Sequence, residues 1–181
     1  MTGDNPVLAA IRSRRVVRAM TDQRLPRQTL EQILDAGRWA PTAGNRHLQR
    51  FVASDDSGTL RALRMVSPGM LQRPVAVVAV CVDRALAVDF GFARQAHSLS
   101  VDVGTAAATL LLAAHALGVG GGPVTSFSRA AAAAVLGTPQ GWTPEFLVCL
   151  GYPAPGGPAP MRRGRRLTWR DLTVWAPREG A

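Results

Sequence analysis

Apolar residues along the chain fall into short periodic groups separated by polar or glycine- and proline-rich punctuation. Val7, Leu8 and Ile11 recur as one helix face over Pro6–Arg12, with Asp4 or Asn5 available as cap and Pro6 at the first helical position. Residues 14–25 are polar and basic and read as an extended connection. Leu30, Ile33, Leu34 and Gly37 mark the buried stripe of a second helix over 26–39, and the run from Ala40 to Asn45 breaks that pattern as a loop. A short strand at 51–53 and a weak helix at 60–65 follow. Pro74 to Val82 is continuously apolar and rich in valine, which predicts a central strand buried on both faces.

The longest helical stretch is 90–117. Its part from Val103 to Leu117 is apolar nearly all round, which predicts burial on every side, in a core or between subunits, and Gly118 ends it. Val119 to Phe127 reads as a glycine-rich turn and strand, Ser128 as the cap of a helix over Arg129–Leu136, and Phe146 to Leu150 as a further strand closed by Gly151. Residues 154–160 hold three prolines and two glycines and cannot be regular. Beyond them Leu167, Trp169, Leu172, Val174 and Trp175 form an apolar tail that needs a surface to lie on. The chain reads as one domain over 1–181, with 154–181 a basic tail packing on its own domain or on a partner subunit.

With 47% hydrophobic and 18% charged residues the chain can build a core, which excludes a disordered protein. Uninterrupted apolar runs of membrane-spanning length are absent, and the N-terminus lacks the basic start and apolar run of a signal peptide, so a cytoplasmic location is the expectation. Cys81 and Cys149 sit inside strand-like apolar runs and read as buried small hydrophobes. With three histidines and no Cys/His spacing, no metal site is expected. The net charge is +9 and all 21 cationic residues are arginine. The cluster at 12–18 holds no aromatic and that at 162–170 holds only Trp169, which argues against nucleic acid as partner. Arginines gather at 12–18 and 162–170, a distribution that fits one anion held from both ends of the chain.

Signatures of nucleophilic or metal-dependent hydrolysis are missing. The glycines of 118–122 follow a helix, the reverse of a dinucleotide fingerprint. Asp83, Asp89 and Asp102 read as caps and surface acids, and no side chain stands out as a catalytic group. A bound organic cofactor that carries the chemistry is the remaining reading.

Four segments, in order, resemble the nitroreductase family of FMN-dependent oxidoreductases: Arg12-Ser-Arg-Arg-Val-Val-Arg18, Ala40-Pro-Thr-Ala-Gly-Asn45, the long helix from Val101 to Gly120, and Gly122-Pro-Val-Thr-Ser-Phe127 with Leu150-Gly-Tyr-Pro153 and a basic tail. The resemblance implies an α+β fold with a central mixed or antiparallel sheet flanked by helices, in an intertwined homodimer. It implies that Arg14, Arg15 and Arg18 hold the FMN phosphate and ribityl chain. Pro41, Thr42, Ala43 and Asn45 would cover the flavin from the other subunit. Pro123, Val124, Thr125 and Ser126 would pass its ring edge, with a backbone N–H of Thr125 or Ser126 at N5, and Arg163, Arg165 and Arg166 match the C-terminal basic element that closes on the phosphate, with at least one of the three left as surface charge. Val16 stands where the family often has serine, so its contact would come from backbone, and Thr125 stands where it often has glutamate. Met70 and His97 are the expected substrate-side residues. The implied reaction passes hydride from NAD(P)H to a nitroaromatic, quinone or enone. The segment from Val66 to Met70, with Cys81-Val-Asp83, is also similar to the catalytic subunit of cyclodipeptide oxidases. That branch would desaturate a cyclic dipeptide and use a small partner subunit. A non-catalytic flavin-binding protein is the third alternative.

Overall fold

Valine in an unbroken run is best satisfied by a strand covered on both sides, and this decides the centre of the molecule. The computed structural model describes residues 5–93, 96–156 and 167–176. Four strands, β1 (Gln49–Ser54), β2 (Ala76–Asp83), β3 (Gly120–Val124) and β4 (Trp142–Gly151), form one sheet in the order β1-β2-β4-β3. Every pairing is antiparallel. Ala76, Val78, Val80 and Val82 of β2 enter one core, and Val77, Ala79 and Cys81 enter a second. The β2–β4 register shifts between Val80 and Cys81, opposite Pro144, whose ring nitrogen cannot donate to a ladder.

Helix α2 (Arg27–Gly37) turns Leu30, Ile33 and Gly37 inward. A Cβ on Gly37 would lie 2.7 Å from Leu110 Cδ2, so the glycine sets how closely α2 packs on α5 (His97–Ala116). These two helices cover the first core, and α3 (Ser57–Met65) and α6 (Arg129–Leu136) cover the second. Side chains cap the free amides as local chemistry demands: Asn5 for α1 (Pro6–Ser13), Asp56 for α3, and Ser128 for α6. The expected cap at Asp4 lies outside the described residues.

Two expectations are corrected. The helix expected over 90–117 is shorter at its start. A short α4 (Arg84–Asp89), capped by Asp83, precedes it, Gly91 turns at φ +79°, and α5 begins only at His97. Nor is α5 buried on every side. Leu99, Val103, Ala106, Ala107, Leu110 and Ala114 face the sheet, whereas Gly104, Ala108, Ala116 and Leu117 are exposed. By length and apolar composition α5 could cross a membrane, but its docked stripe identifies a core helix. The open face continues onto α1, where Val7 and Ile11 are exposed, and the two helices border a cleft of about 410 Å³ lined by Val7, Ala10, Leu112 and Ala116.

Candidate functional site

The basic connection after α1 runs alongside the glycine strand. Val16 bridges Gly121 in parallel fashion, and Val17 N–H donates to the Gly121 carbonyl at 3.0 Å. Thr21 N–H then donates to the Tyr152 carbonyl at 2.9 Å as the segment crosses the end of the sheet. This approach requires bare backbone on β3. A Cβ at Gly120 would lie 2.8 Å from Val17, one at Gly121 would lie 2.5 Å from Leu111, and one at Gly122 would lie 2.9 Å from the Val17 carbonyl. The arginines of 14–18 and the Gly120–Pro123 segment are therefore brought together. Arg14, Val17, Leu111, His115 and Gly120 border a cleft of about 350 Å³. Arg14 is half-buried and Arg18 exposed. Arg15 curls back, its Nη1 donating to the carbonyls of Arg12 at 2.6 Å and Arg14 at 2.9 Å. Ser13 Oγ lies 2.8 Å from His115 Nε2 and ties α1 to the end of α5, a structural role for that histidine.

Past β3, Val124 is buried while Thr125 and Ser126 are exposed. The Ser126 carbonyl accepts from Gly69 N–H at 2.9 Å, and a Cβ on Gly69 would lie 2.8 Å from Ser126 Cβ. The segment 66–70 thus abuts the exposed end of β3. Met70 itself is buried in the second core, and its neighbour Leu71 is the exposed side chain. Gln72 is 2% exposed, and its amide lies against the Cys149 thiol.

Pro41, Thr42, Ala43 and Asn45 lie elsewhere, at the head of α5. Asp102 Oδ1 accepts from Ala43 N–H at 2.9 Å, and Thr105 Oγ1 donates to the Pro41 carbonyl at 3.0 Å. Thr42 Oγ1 accepts from His47 N–H at 3.1 Å. Gly44, Asn45 and His47 all have positive φ, a strained run for the two residues that are not glycine. His97, Thr42, Val101 and Asp102 border a cleft of about 430 Å³ beside this loop. His115 is thirteen residues beyond Asp102 on the same helix, which at the α-helical rise is about 20 Å. Within one protomer, the arginine segment and the loop therefore occupy opposite ends of α5. Arg163, Arg165 and Arg166 lie outside the described residues.

Asp102 departs from expectation, since it is 3% exposed and no surface acid. A lone aspartate on an apolar helix carries no sequence signal of its loop partner. Replacing Asp102 with alanine leaves the Ala43 amide without its acceptor and is expected to cost about 1–3 kcal/mol in urea unfolding, whereas Asp102→Asn keeps the acceptor and recovers most of it.

Burial pushes both thiols up to about 12, helped at Cys81 by the charge of Glu145 and opposed at Cys149 by Gln72. Both cysteines are free. Native protein at pH 8 should show no fast reaction with a thiol reagent, and both thiols should react once the chain unfolds. The unfolded thiols ionise near 9.0 and the folded ones near 12, so this contribution to stability is complete below pH 9 and declines as pH rises above it.

A model of the nitroreductase family matches residues 11–85 and 67–152. A Thermus thermophilus protein named NADH dehydrogenase is 31% identical over 94% of this chain and 97% of its own. A Methanothermobacter thermautotrophicus protein, provisionally named an NADH dehydrogenase/NAD(P)H nitroreductase, is 34% identical across 63% of this chain and 58% of that protein. The crystal structure of a nitroreductase with bound FMN from Bacteroides fragilis superposes with a TM-score of 0.73 at 22% identity, over 95% of this chain and all of that one.

Proposed function

The chain belongs to the nitroreductase family and is an oxidoreductase of that type, and from that premise we propose that it binds FMN between two copies of itself and passes hydride from NAD(P)H to a small organic acceptor. A nitroaromatic, quinone or enone fits that acceptor class. The observation that carries the cofactor reading is the arginine-bearing segment laid against the bare backbone of β3.

The residues present suit FMN. Arg14 and Arg18 offer guanidinium forks for a phosphate dianion, and Val16 contributes through its backbone. Arg15, held over the end of α1, adds positive charge beside them. The glycines let Val17, Leu111 and Gln72 pack onto β3 and so hold the arginine segment beside it, and the backbone amides of exposed Thr125 and Ser126 are the donors we assign to the reactive ring edge beside Pro123 and Val124. When bound, FMN supplies the hydride chemistry, and the protein supplies orientation and exclusion of water. Pro41, Thr42, Ala43 and Asn45 lie at the far end of α5, so in this reading a second copy brings them over the ring. The open apolar face of α1 and α5 is the surface that such a homodimer would bury. One of Arg163, Arg165 and Arg166 completes the phosphate grip in this reading, and the tail bearing Trp169 and Trp175 packs on the partner. His97, exposed beside the loop, is the side chain we place toward substrate, while the core position of Met70 restricts it to supporting the 66–70 segment. A cytoplasmic location is part of the same proposal.

The contact of that segment with Ser126 favours one second reading, in which the chain desaturates a cyclic dipeptide with a small partner subunit. Anaerobic mixing of the flavin-loaded protein with NADH, NADPH or a cyclic dipeptide separates the two, since only the true reductant bleaches the flavin. Purified protein is expected to be yellow, with one FMN per chain, and to elute at dimer mass. A colourless protein that takes up no added FMN ends the cofactor reading, and a flavin-loaded monomer ends the shared site.

A further inference from the structure

A fourth cleft, of about 410 Å³, shares no lining residue with the other three and lies at the end of the sheet where Ser54 pairs with Val77 and Val75 N–H reaches Leu150. Arg24, Arg61, Arg64 and Arg73 line it, and Leu60 and Pro74 give it an apolar floor. Leu60 belongs to the core beneath α3, so the cleft opens on the face of the sheet opposite α5 and stays clear of the open α1–α5 surface.

The charge of this cleft is not balanced internally. Arg27, Arg38, Arg50, Arg84 and Arg129 each pair with a carboxylate, but none of the four cleft arginines has one within 4.0 Å among the described residues. Asp56, next to the cleft in sequence, caps α3 through Thr59 N–H at 2.7 Å, and its charge also acts on Arg61. Arg61 and Arg64 stand three apart on α3 and share a face. Asp22 and Asp55 also line the cleft. With these three aspartates counted, the four exposed arginines still leave an excess of positive charge around an apolar floor. A carboxylate brings a single charge to it. A phosphate monoester, dianionic above its second pKa of about 6, brings more charge and more acceptor oxygens to the guanidinium forks.

We infer that this cleft is a binding site for a small phosphate monoester whose organic part rests on Leu60 and Pro74. The inference does not rest on the FMN reading. Phenyl phosphate is a suitable probe, titrated by calorimetry into the flavin-loaded protein, whose own phosphate grip is then filled. One saturable site per chain is expected, with flavin absorbance unchanged. The double variant Arg61→Ala/Arg64→Ala should bind at least about tenfold more weakly and keep the flavin content and thermal midpoint of the parent. Binding should also weaken between pH 7.5 and 5.5 as the ligand takes up a proton, and benzoate should bind at least about tenfold more weakly than phenyl phosphate. Equal affinity of parent and double variant, or a titration that perturbs the flavin spectrum equally in both, places the phosphate elsewhere and overturns the inference. A preparation without flavin still yields the comparison between parent and variant, so failure of the FMN reading and failure of this site are separately visible.

Discussion

Replacing Arg14 and Arg18 together with alanine is expected to weaken FMN binding by about two to four orders of magnitude. Each guanidinium–phosphate contact is a charge-assisted hydrogen bond, contributing about 1.5–3 kcal/mol, and each 1.4 kcal/mol is about tenfold in affinity. Loss of both side chains therefore removes about 3–6 kcal/mol. The fold should tolerate the change, because Arg18 is exposed and Arg14 only half-buried, and the pairing of this segment with β3 uses backbone atoms of Val16, Val17 and Gly121. Quenching of FMN fluorescence during titration of flavin-free protein reads the affinity, and circular dichroism confirms the fold. Arg18→Lys keeps the charge but loses the fork and should fall between parent and Arg18→Ala. A dissociation constant that stays within threefold of the parent in the double variant would remove these residues from the phosphate site.

Gly122→Ala should be the most damaging small substitution in β3. The added methyl would lie 2.2 Å from Gln72 Nε2 and 2.9 Å from the Val17 carbonyl. Gln72 is almost wholly enclosed, and the second obstacle is backbone, so neither yields without moving the strand beside it. Such overpacking costs about 1–3 kcal/mol, and in a chain of this length each kcal/mol lowers the thermal midpoint by about 2–4 °C. The displaced strand carries Arg14 and Arg18, so FMN affinity should fall with stability. Pairing the change with Gln72→Ala relieves only the first contact and should restore only part of the midpoint. A Gly122→Ala protein as stable as the parent would show that the close approach of Val17 to β3 is not tight in solution.

What could be read in advance follows from where each signal resides. The valine run of β2 announced a strand covered on both faces, and the spacing of Leu30, Ile33 and Gly37 announced α2, because burial itself writes those periods. Helix α4 spans six residues, too few to display a period, so nothing announces it, and the start of α5 at His97, beyond the turn at Gly91, is equally unmarked by any period. Apolar composition all round α5 could not reveal that one side is open, since periodicity reports chemistry and not neighbours. The arginine and loop segments were legible as candidates, yet their placement at opposite ends of α5 was not. Asp102 escaped altogether, because its partner Ala43 is 59 positions distant. The glycines of β3 could be excluded as a dinucleotide turn, but their purpose became visible only with Val17, Leu111 and Gln72 packed against them.

Strand β3 ends the sheet on one side, and among the described residues its outer backbone is met by Val16 and Val17 at Gly121. Pro123, lacking an N–H, blunts the remainder. Bare strand margins recruit other chains. The segment whose arginines would grip a phosphate thus also acts, through Val16 and Val17, as a guard rail against aggregation. Proteolytic trimming of the first twenty or so residues is therefore expected to bare this margin and to weaken FMN binding in one step.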